Sequence, residues 1–334
     1  MKATAVAATA VAVLAAALVA LEVALRVIGY SAPQWYQLDP RLGWSLRAHR
    51  HGVHVQDGVR APVHINTAGF RDRDRFLDKL EGVYRIAVLG DEISEAMQVP
   101  VNEAWWWRLP ALLKACTSER RVEVLNFAVG GYGTGQELVV LESTAMRYQP
   151  DLVLLQFSSR NDVADNSFAL ARDKLRPFYR LDGRGVPHIS ESFASSPRFE
   201  REMQTRYRLG AEIADHSRAF QLARQFAGIA FIGEAHAERD VSAPPELWEE
   251  AWRITDALLA RMNDYSQRNG ARFMIAVDRP DQRLAAFGER AHVPVVSLAE
   301  SLPRFPSGQW TAEGHRLAAE AIAKQLCNRG QSPI

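Results

Sequence analysis

The sequence predicts an α/β protein: a three-layer α/β/α sandwich around a five-stranded parallel sheet in flavodoxin-like strand order. Three observations carry this expectation. Short, nearly continuous apolar runs such as Ile86-Ala87-Val88-Leu89 and Leu152-Val153-Leu154-Leu155 read as strands buried on both faces. Longer segments with apolar residues every three to four positions lie between them, as helices would. Each run ends in glycine or in a polar cluster, at the edge where an open parallel sheet carries its ligands. The composition suits such a fold, with 47% hydrophobic and 24% charged residues among 334. Forty Lys and Arg against 39 Asp and Glu leave a formal net charge of +1, without the basic surplus that nucleic-acid binding needs.

Taken in order, the chain begins with an uncharged stretch from Ala3 to Leu21, preceded by Lys2. About 20 apolar residues at a rise of about 1.5 Å each match the hydrocarbon thickness of a bilayer. A cleaved signal peptide and an uncleaved signal-anchor over residues 1–30 both fit. The stretch exceeds the usual signal-peptide core of about 7–15 residues, and apolar residues continue past Glu22 to Ile28, which favours the anchor. Either way the body is exported, and the favoured reading is an inner-membrane anchor with the body on the periplasmic, extracytoplasmic side. Residues 31–80 read as a linker and N-terminal extension, strand-like in its later part, with turn signals at Asp39-Pro40 and Asp57-Gly58.

The main domain, 81–334, has predicted strands at 84–89, 122–127, 151–157, 272–277 and 293–298. A helix is expected over 102–116, with Asn102 as N-cap and Pro110 as a kink, and another over 136–147. A third follows the 3–4 spacing of Leu247, Ala251, Ile254, Leu258, Met262 and Tyr265 up to Gly270, and a last one covers 311–327. Residues 163–243 break the alternation and read as an insertion, with a hairpin-like 178–183 and a polar helical stretch over 198–226. Cys116 and Cys327 sit in no CxxC or metal spacing, so they are two buried thiols or one disulfide. In the flavodoxin-like order the first and last helices are neighbours, each ending near one cysteine, and an exported chain permits the bridge.

At the strand ends lie Gly90-Asp91-Glu92, Gly130-Gly131-Tyr132, Asn161-Asp162, Asp278 and a turn running from Gly308 to His315. In order, these are a strand followed by Gly-Asp-x, an Asn-x-x-x-x-Gly-Tyr-Gly-Thr block, Asn-Asp, and a late Glu-Gly-His-Arg-Leu-Ala-Ala. That succession resembles the SGNH (GDSL) hydrolase family, over residues 40–326. Gly43-Trp44, the run Asn66-Thr67-Ala68-Gly69-Phe70-Arg71 and the N-terminal helix resemble its membrane-tethered bacterial branch.

The resemblance implies acyl-ester hydrolysis without a cofactor. A serine of the first block attacks, a histidine of the last block is the base, and an aspartate just before it orients the imidazole. Gly131 falls on the glycine, and Asn161 on the asparagine, that hold the oxyanion. The nucleophile position holds Glu92, the base position Gln309, and the orienting position Ser307 or Pro306. Losing one triad member leaves a deficit of about 10⁴–10⁶-fold, and a carboxylate in the oxyanion site opposes a negatively charged intermediate. The reading is a protein that has lost Ser-His-Asp esterase chemistry and binds an acylated glycan or lipid, with envelope-polysaccharide machinery as the implied partner. The alternatives are an active esterase or O-acyltransferase on acylated carbohydrate using a non-standard nucleophile, and a purely structural partner in a membrane complex.

Three sets of residues could restore catalysis. Ser94 could replace the nucleophile but reads as a helix-start hydroxyl, and His315 could serve as base but reads as a packing or capping residue. Asp91, Glu92 and Asp162 could bind a cation or do acid–base work on a glycan, although no ligand spacing beyond the acids marks a metal. His49, His51, His54 and His64 are spaced like strand residues. Of Trp105, Trp106 and Trp107, at least one belongs to the core and another could line a sugar-binding surface. Arg71, Arg73 and Arg75 alternate with Asp72 and Asp74 and read as a solvated, self-neutralised face.

Overall fold

In the computed structural model, which describes residues 2–114, 116–117, 121–159, 161–190, 193–203, 210–226 and 243–328, the chain opens with helix α1 (Lys2–Val27). Apart from Leu25 its apolar side chains face outward, and an 18-residue stretch within Thr4–Val27 has a mean hydropathy of 2.4, enough by length and composition to cross a membrane. Two antiparallel hairpins follow, β1 (Tyr36–Asp39) with β2 (Gly43–Leu46) and β3 (His51–Gln56) with β4 (Val59–His64). Both turn signals act where the sequence places them. Asp39 Oδ1 accepts the N–H groups of Arg41 and Leu42, and Asp57 and Gly58 join β3 to β4 with positive φ at both residues. Trp35, Tyr36, Trp44, Leu46, Val63 and Ile65 carry these hairpins into the main core.

The central sheet comprises β5 (Val83–Leu89), β6 (Arg121–Asn126), β7 (Leu152–Phe157), β10 (Arg272–Val277) and β11 (Val295–Ser297). All pairs are parallel, in the order β11-β10-β7-β5-β6, which is the flavodoxin-like arrangement the sequence predicts. Side chains alternate across the sheet with a period of two. Ile86, Val88, Val124 and Leu154 pack under α3 (Trp105–Leu113) and α11 (Ala312–Cys327). Ala87, Leu89, Leu125 and Val153 pack under α4 (Thr134–Ser143), α9 (Pro245–Arg268) and α10 (Gln282–Ala291). Helices on both faces make the chain a three-layer α/β/α fold.

Several boundaries differ from the expectation. Asn102 is not an N-cap: Val101–Glu103 form a 3-10 turn, and α3 starts after Ala104, with Pro110 inside it. Helix α4 stops at Ser143 and a 3-10 turn, Ala145–Tyr148, completes the segment. Helix α10 was not foreseen, although Asp281 caps it by accepting from Arg283 and Leu284, and Leu284 and Phe287 give it a buried face. Gly270, at φ +80°, follows α9 as predicted. Thr311 caps α11, and the packing of α3 against α11 brings Cys116 and Cys327 into a disulfide with a Cα separation of 5.7 Å.

Between β7 and α9 come α5 (Asp162–Asp165), the hairpin β8 (Tyr179–Leu181) and β9 (Pro187–Ile189), α6 (Pro197–Arg201), α7 (Gly210–His216) and α8 (Arg218–Phe226). The helical stretch expected over 198–226 is thus divided, with 204–209 outside the described residues, as are 227–242 of the expected insertion.

The charged run at 71–75 is a solvated face only in part: Arg73 and Asp74 are exposed, but Arg71 and Asp72 turn inward. Arg71 is 1% and Asp72 4% exposed. The Arg71 guanidinium donates to the carbonyls of Glu95, Ala96 and Val99. These lie at and beyond the end of α2 (Glu92–Glu95), where a helix leaves carbonyls without partners. Asp72 pairs with Arg75 at 2.9 Å and accepts from Asn126 N at 3.3 Å.

Candidate active site cleft

The carboxyl ends of β5, β6 and β7 converge on one cleft. At the end of β5, a Cβ on Gly90 would lie 2.9 Å from Gln156 Oε1 and 3.1 Å from Ser94 Oγ, so the tight approach of β5, β7 and α2 requires glycine there. Asp91 caps α2 through its Oδ1, which accepts from Ile93 N at 2.9 Å. Glu92 follows as the first residue of α2 and is 5% exposed.

Opposite it is the glycine turn after β6. Gly131 has φ +73°, which a side chain would strain. The first hairpin clamps this turn: Trp44 Nε1 donates to the Gly130 carbonyl at 2.9 Å, and Tyr132 Oη donates to the Trp44 carbonyl at 2.6 Å. So held, the Gly131 N–H donates to Glu92 Oε2 at 3.2 Å. The donor expected to hold an oxyanion is therefore engaged by a carboxylate of the protein itself. Asn161 begins α5, and its amide donates to Asp165 Oδ2 at 3.4 Å.

Around Glu92 the cleft is rich in buried acids. Asp162 accepts from Ser158 N at 2.8 Å. Asp165 pairs with Arg176 at 3.0 Å, and that guanidinium also lies 5.0 Å from the centroid of the Trp44 ring. Glu95 accepts from Tyr36 Oη at 2.7 Å. Glu137, in the first turn of α4, is 1% exposed. Burial pushes the Glu95 carboxyl up to about 7, against the pull of Tyr36, the Gly130 N–H and Arg71. Burial, reinforced by the neighbouring acids, holds Glu137 and Asp162 well above the usual carboxylate range. Burial also raises Asp165, with Arg176 opposing it. Such a cleft disfavours any further negative charge.

Sequence reasoning singled out Asp91, Glu92 and Asp162 but missed Glu95 and Glu137. An acid in the first turn of a helix is an ordinary complement to the helix dipole. Only the sheet topology turns these two into the cleft wall. Among the described residues, no group of three or more His, Cys, Asp or Glu is arranged to hold a metal ion.

Ser94 and His315 are both buried and hydrogen-bonded in the core. Ser94 is fully buried, donating to Gln156 Oε1 and accepting from Trp105 Nε1, both at 3.0 Å. His315 is fully buried against the start of α3, where Trp105 N donates to its Nδ1 at 3.4 Å and Trp310 meets it edge-on. Burial first, and then Arg71 and Arg108, pull its pKa down to about 3, so the imidazole is neutral at physiological pH. Gln309 is buried at 4% exposure, in a turn held by Arg304, which donates to the Gly308 carbonyl at 2.7 Å and pairs with Asp278 at 3.1 Å. Ser307 lies on that turn's outer side, donating to Asp57 of the β3–β4 hairpin. Trp105 and Trp106 are fully buried, and Trp107 is partly exposed.

Beside the third block, a cavity of about 400 Å³ opens at the ends of β7 and β10. Ser159, Val163, Trp248, Trp252, Arg279 and Arg283 line it. Trp252 lies between Phe157, at 6.4 Å, and the Arg283 guanidinium, at 5.4 Å.

No family model matches the chain. An arylesterase of Vibrio mimicus is 31% identical over 81 residues, 24% of this chain and 38% of that protein, so the chain spans less than two fifths of that relative's length. Among solved structures, TesA is 12% identical with a TM-score of 0.39, covering 73% of this chain and 98% of its own. A mutant of the acetyl-xylooligosaccharide esterase Axe2 from Geobacillus stearothermophilus is 11% identical with a TM-score of 0.40, covering 72% and 93%. The psychrotrophic esterase EstA from a Pseudoalteromonas species is 12% identical with a TM-score of 0.37, covering 71% and 93%. At these values the likeness is one of general chain path and brings no residue role or activity across.

Proposed function

We propose that this chain is a membrane-anchored, extracytoplasmic protein of the SGNH (GDSL) hydrolase type that has given up serine-esterase chemistry and binds an acylated glycan or lipid. The observation that carries the reading is the Glu92 carboxylate on the Gly131 N–H at 3.2 Å. A tetrahedral intermediate needs that donor free and the surroundings receptive to negative charge. Here the donor is taken, and the cleft is walled by Glu92, Glu95, Glu137, Asp162 and Asp165. Neither His315, sealed against α3, nor Gln309, which does not titrate, can act as the base of a serine esterase.

The order of the four strand-edge blocks supports the family assignment, as does the local identity to an arylesterase. The cavity lined by Trp248, Arg279 and Arg283 supports binding: indole faces take the apolar face of a sugar, and guanidinium groups take acyl or ring oxygens. The disulfide and α1 fit an exported, anchored protein.

The full chain, purified in detergent, is assayed against a p-nitrophenyl ester series and an organophosphonate probe. Neither turnover above the rate of a heat-denatured control nor a covalent adduct is expected. Turnover abolished by Glu92→Ala or Ser94→Ala would establish the rival esterase or acyltransferase. Binding is read by calorimetry against O-acetylated oligosaccharides, and loss of binding in Trp248→Ala would place the ligand in the 400 Å³ cavity.

A further inference from the structure

The last two turns of α1 reach past the apolar stretch and engage α7 and α8. Glu22 Oε1 accepts from Arg218 N at 2.9 Å, and Glu22 Oε2 accepts from Ala219 N at 2.9 Å and from the Ser217 hydroxyl at 3.1 Å. Arg218 N and Ala219 N are the opening N–H groups of α8, which have no carbonyl within that helix to bond. Arg26 donates to the carbonyl of His216, the last residue of α7, at 2.7 Å. One turn of α1 thus supplies an acid to one helix start and a base to another helix end, the polarity each prefers. The contact continues outward: Tyr30 Oη donates to Gln225 at 2.7 Å, Ala32 N to Gln221 at 2.8 Å, and Arg218 to Ser31 Oγ at 3.0 Å.

The same helix pair is tied to the cleft. Asp215 of α7 pairs with Arg47 at 2.6 Å and with Arg50 at 2.7 Å. Arg47 directly follows β2, whose Trp44 holds the Gly130 carbonyl. On the other side, Val27 (81% exposed), Ile28 (73%) and Phe226 (84%) leave large apolar side chains uncovered where α1 ends and α8 ends. They continue the exposed apolar surface of α1, so the occupant that fits them is the same as for α1: the boundary between acyl chains and headgroups of the bilayer.

We propose that α1 is retained in the mature protein, that its Glu22–Arg26 turn locks it to α7 and α8, and that this joint seats on the bilayer surface, holding the cleft at a fixed attitude to the membrane. This rests on the membrane-anchored reading above, and the experiment separates the two. The full chain is produced in cells, extracted and reconstituted in lipid vesicles. Intact-mass measurement shows residues 1–30 retained; a chain beginning after the apolar stretch would overturn both the anchor and the joint. In hydrogen exchange, Glu22→Gln speeds the amides of Arg218 and Ala219 about tenfold, with the β5 and β7 amides unchanged. If Glu22→Gln does not accumulate, Arg26→Met is read at the first amides of α8 by the same criterion. Retention with unchanged exchange in both variants leaves the anchor standing and overturns the joint. A spin label on Phe226→Cys has a unique site, because Cys116 and Cys327 are bonded to each other. Relaxation of that label by oxygen in preference to a water-soluble nickel chelate is expected, and the reverse overturns the seating.

Discussion

Glu95 offers a quantitative test of the acid-walled cleft. Its carboxyl is 2% exposed and titrates at about 7 in the folded chain, against an ordinary 4.5. A carboxyl whose folded pKa exceeds its unfolded value binds more protons in the native state over the interval between the two. Its effect on stability is therefore neutral below about 4.5, grows unfavourable as the pH rises, and is complete above about 7. At about 1.4 kcal/mol per pH unit, that interval costs the fold ~3 kcal/mol at pH 8. Glu95→Gln keeps an oxygen acceptor for the Tyr36 hydroxyl and removes the titration. Other raised acids, Glu137, Asp162 and Asp165, also slope the wild-type curve downward, so the informative quantity is the difference between the two proteins. Urea unfolding of the full chain in detergent, followed by tryptophan fluorescence at pH 4.5 to 8, should show the variant gaining ~3 kcal/mol on the wild type across that range. Parallel curves would refute the burial of an ionising Glu95, and a wild type that grows more stable with rising pH would refute the whole acid cluster.

Three further outcomes follow from the same geometry. Arg71→Met leaves the carbonyls of Glu95, Ala96 and Val99 without their donor and should cost about 3–5 kcal/mol in urea unfolding; a loss under 1 kcal/mol would mean water replaces the guanidinium. Reducing the Cys116–Cys327 bridge, which closes a loop of 211 residues, should cost about 2–5 kcal/mol, visible as a thermal midpoint shift with dithiothreitol that a Cys116→Ser/Cys327→Ser variant does not show. Gly131→Ala should cost about 1–2 kcal/mol because φ is +73° there, and an unchanged denaturation midpoint would show that the turn relaxes freely.

The sheet was legible because buried parallel strands have no polar face to disguise them. Runs such as Leu152 to Leu155 can sit only in a sheet covered on both sides, and right-handed crossovers then leave few strand orders. The disulfide followed from that order, since placing α3 beside α11 already brings the two cysteines to one edge. Glu92 and Gly131 were legible because each ends a strand, and strand ends meet by topology alone. What escaped were residues whose neighbours are fixed only in three dimensions. Arg71 and Asp72 alternate with charges exactly as a solvated segment would, and nothing local reveals that α2 ends over Arg71. Glu137 looks like a first-turn acid until the fold buries it near Asp91, Asp165 and Glu92. Helix α10 did carry a local signal, the Asp281 cap ahead of Leu284 and Phe287, which its short length concealed.

On the proposed reading, in which Glu92 stands at a nucleophile position, that residue is better understood together with its neighbours than as a single lost hydroxyl. A serine-to-alanine loss would leave an oxyanion site intact and receptive, and a second mutation could reverse it. Here the Glu92 carboxylate accepts the Gly131 N–H, and its neighbours Glu95, Glu137 and Asp162 hold protons more tightly than ordinary acids do. Protonated carboxyls donate as well as accept, whereas ionised ones repel a carboxylate or phosphate. On the proposed reading, such surroundings no longer serve a transient anion. Restoring Glu92→Ser, Gln309→His and Ser307→Asp tests that view. With Ser307 turned outward to Asp57, the triple variant should recover at most weak hydrolysis of p-nitrophenyl acetate. Full esterase activity from the triple variant alone would show that the cleft had kept its original electrostatics, and that Glu92 was an isolated lesion in a working site.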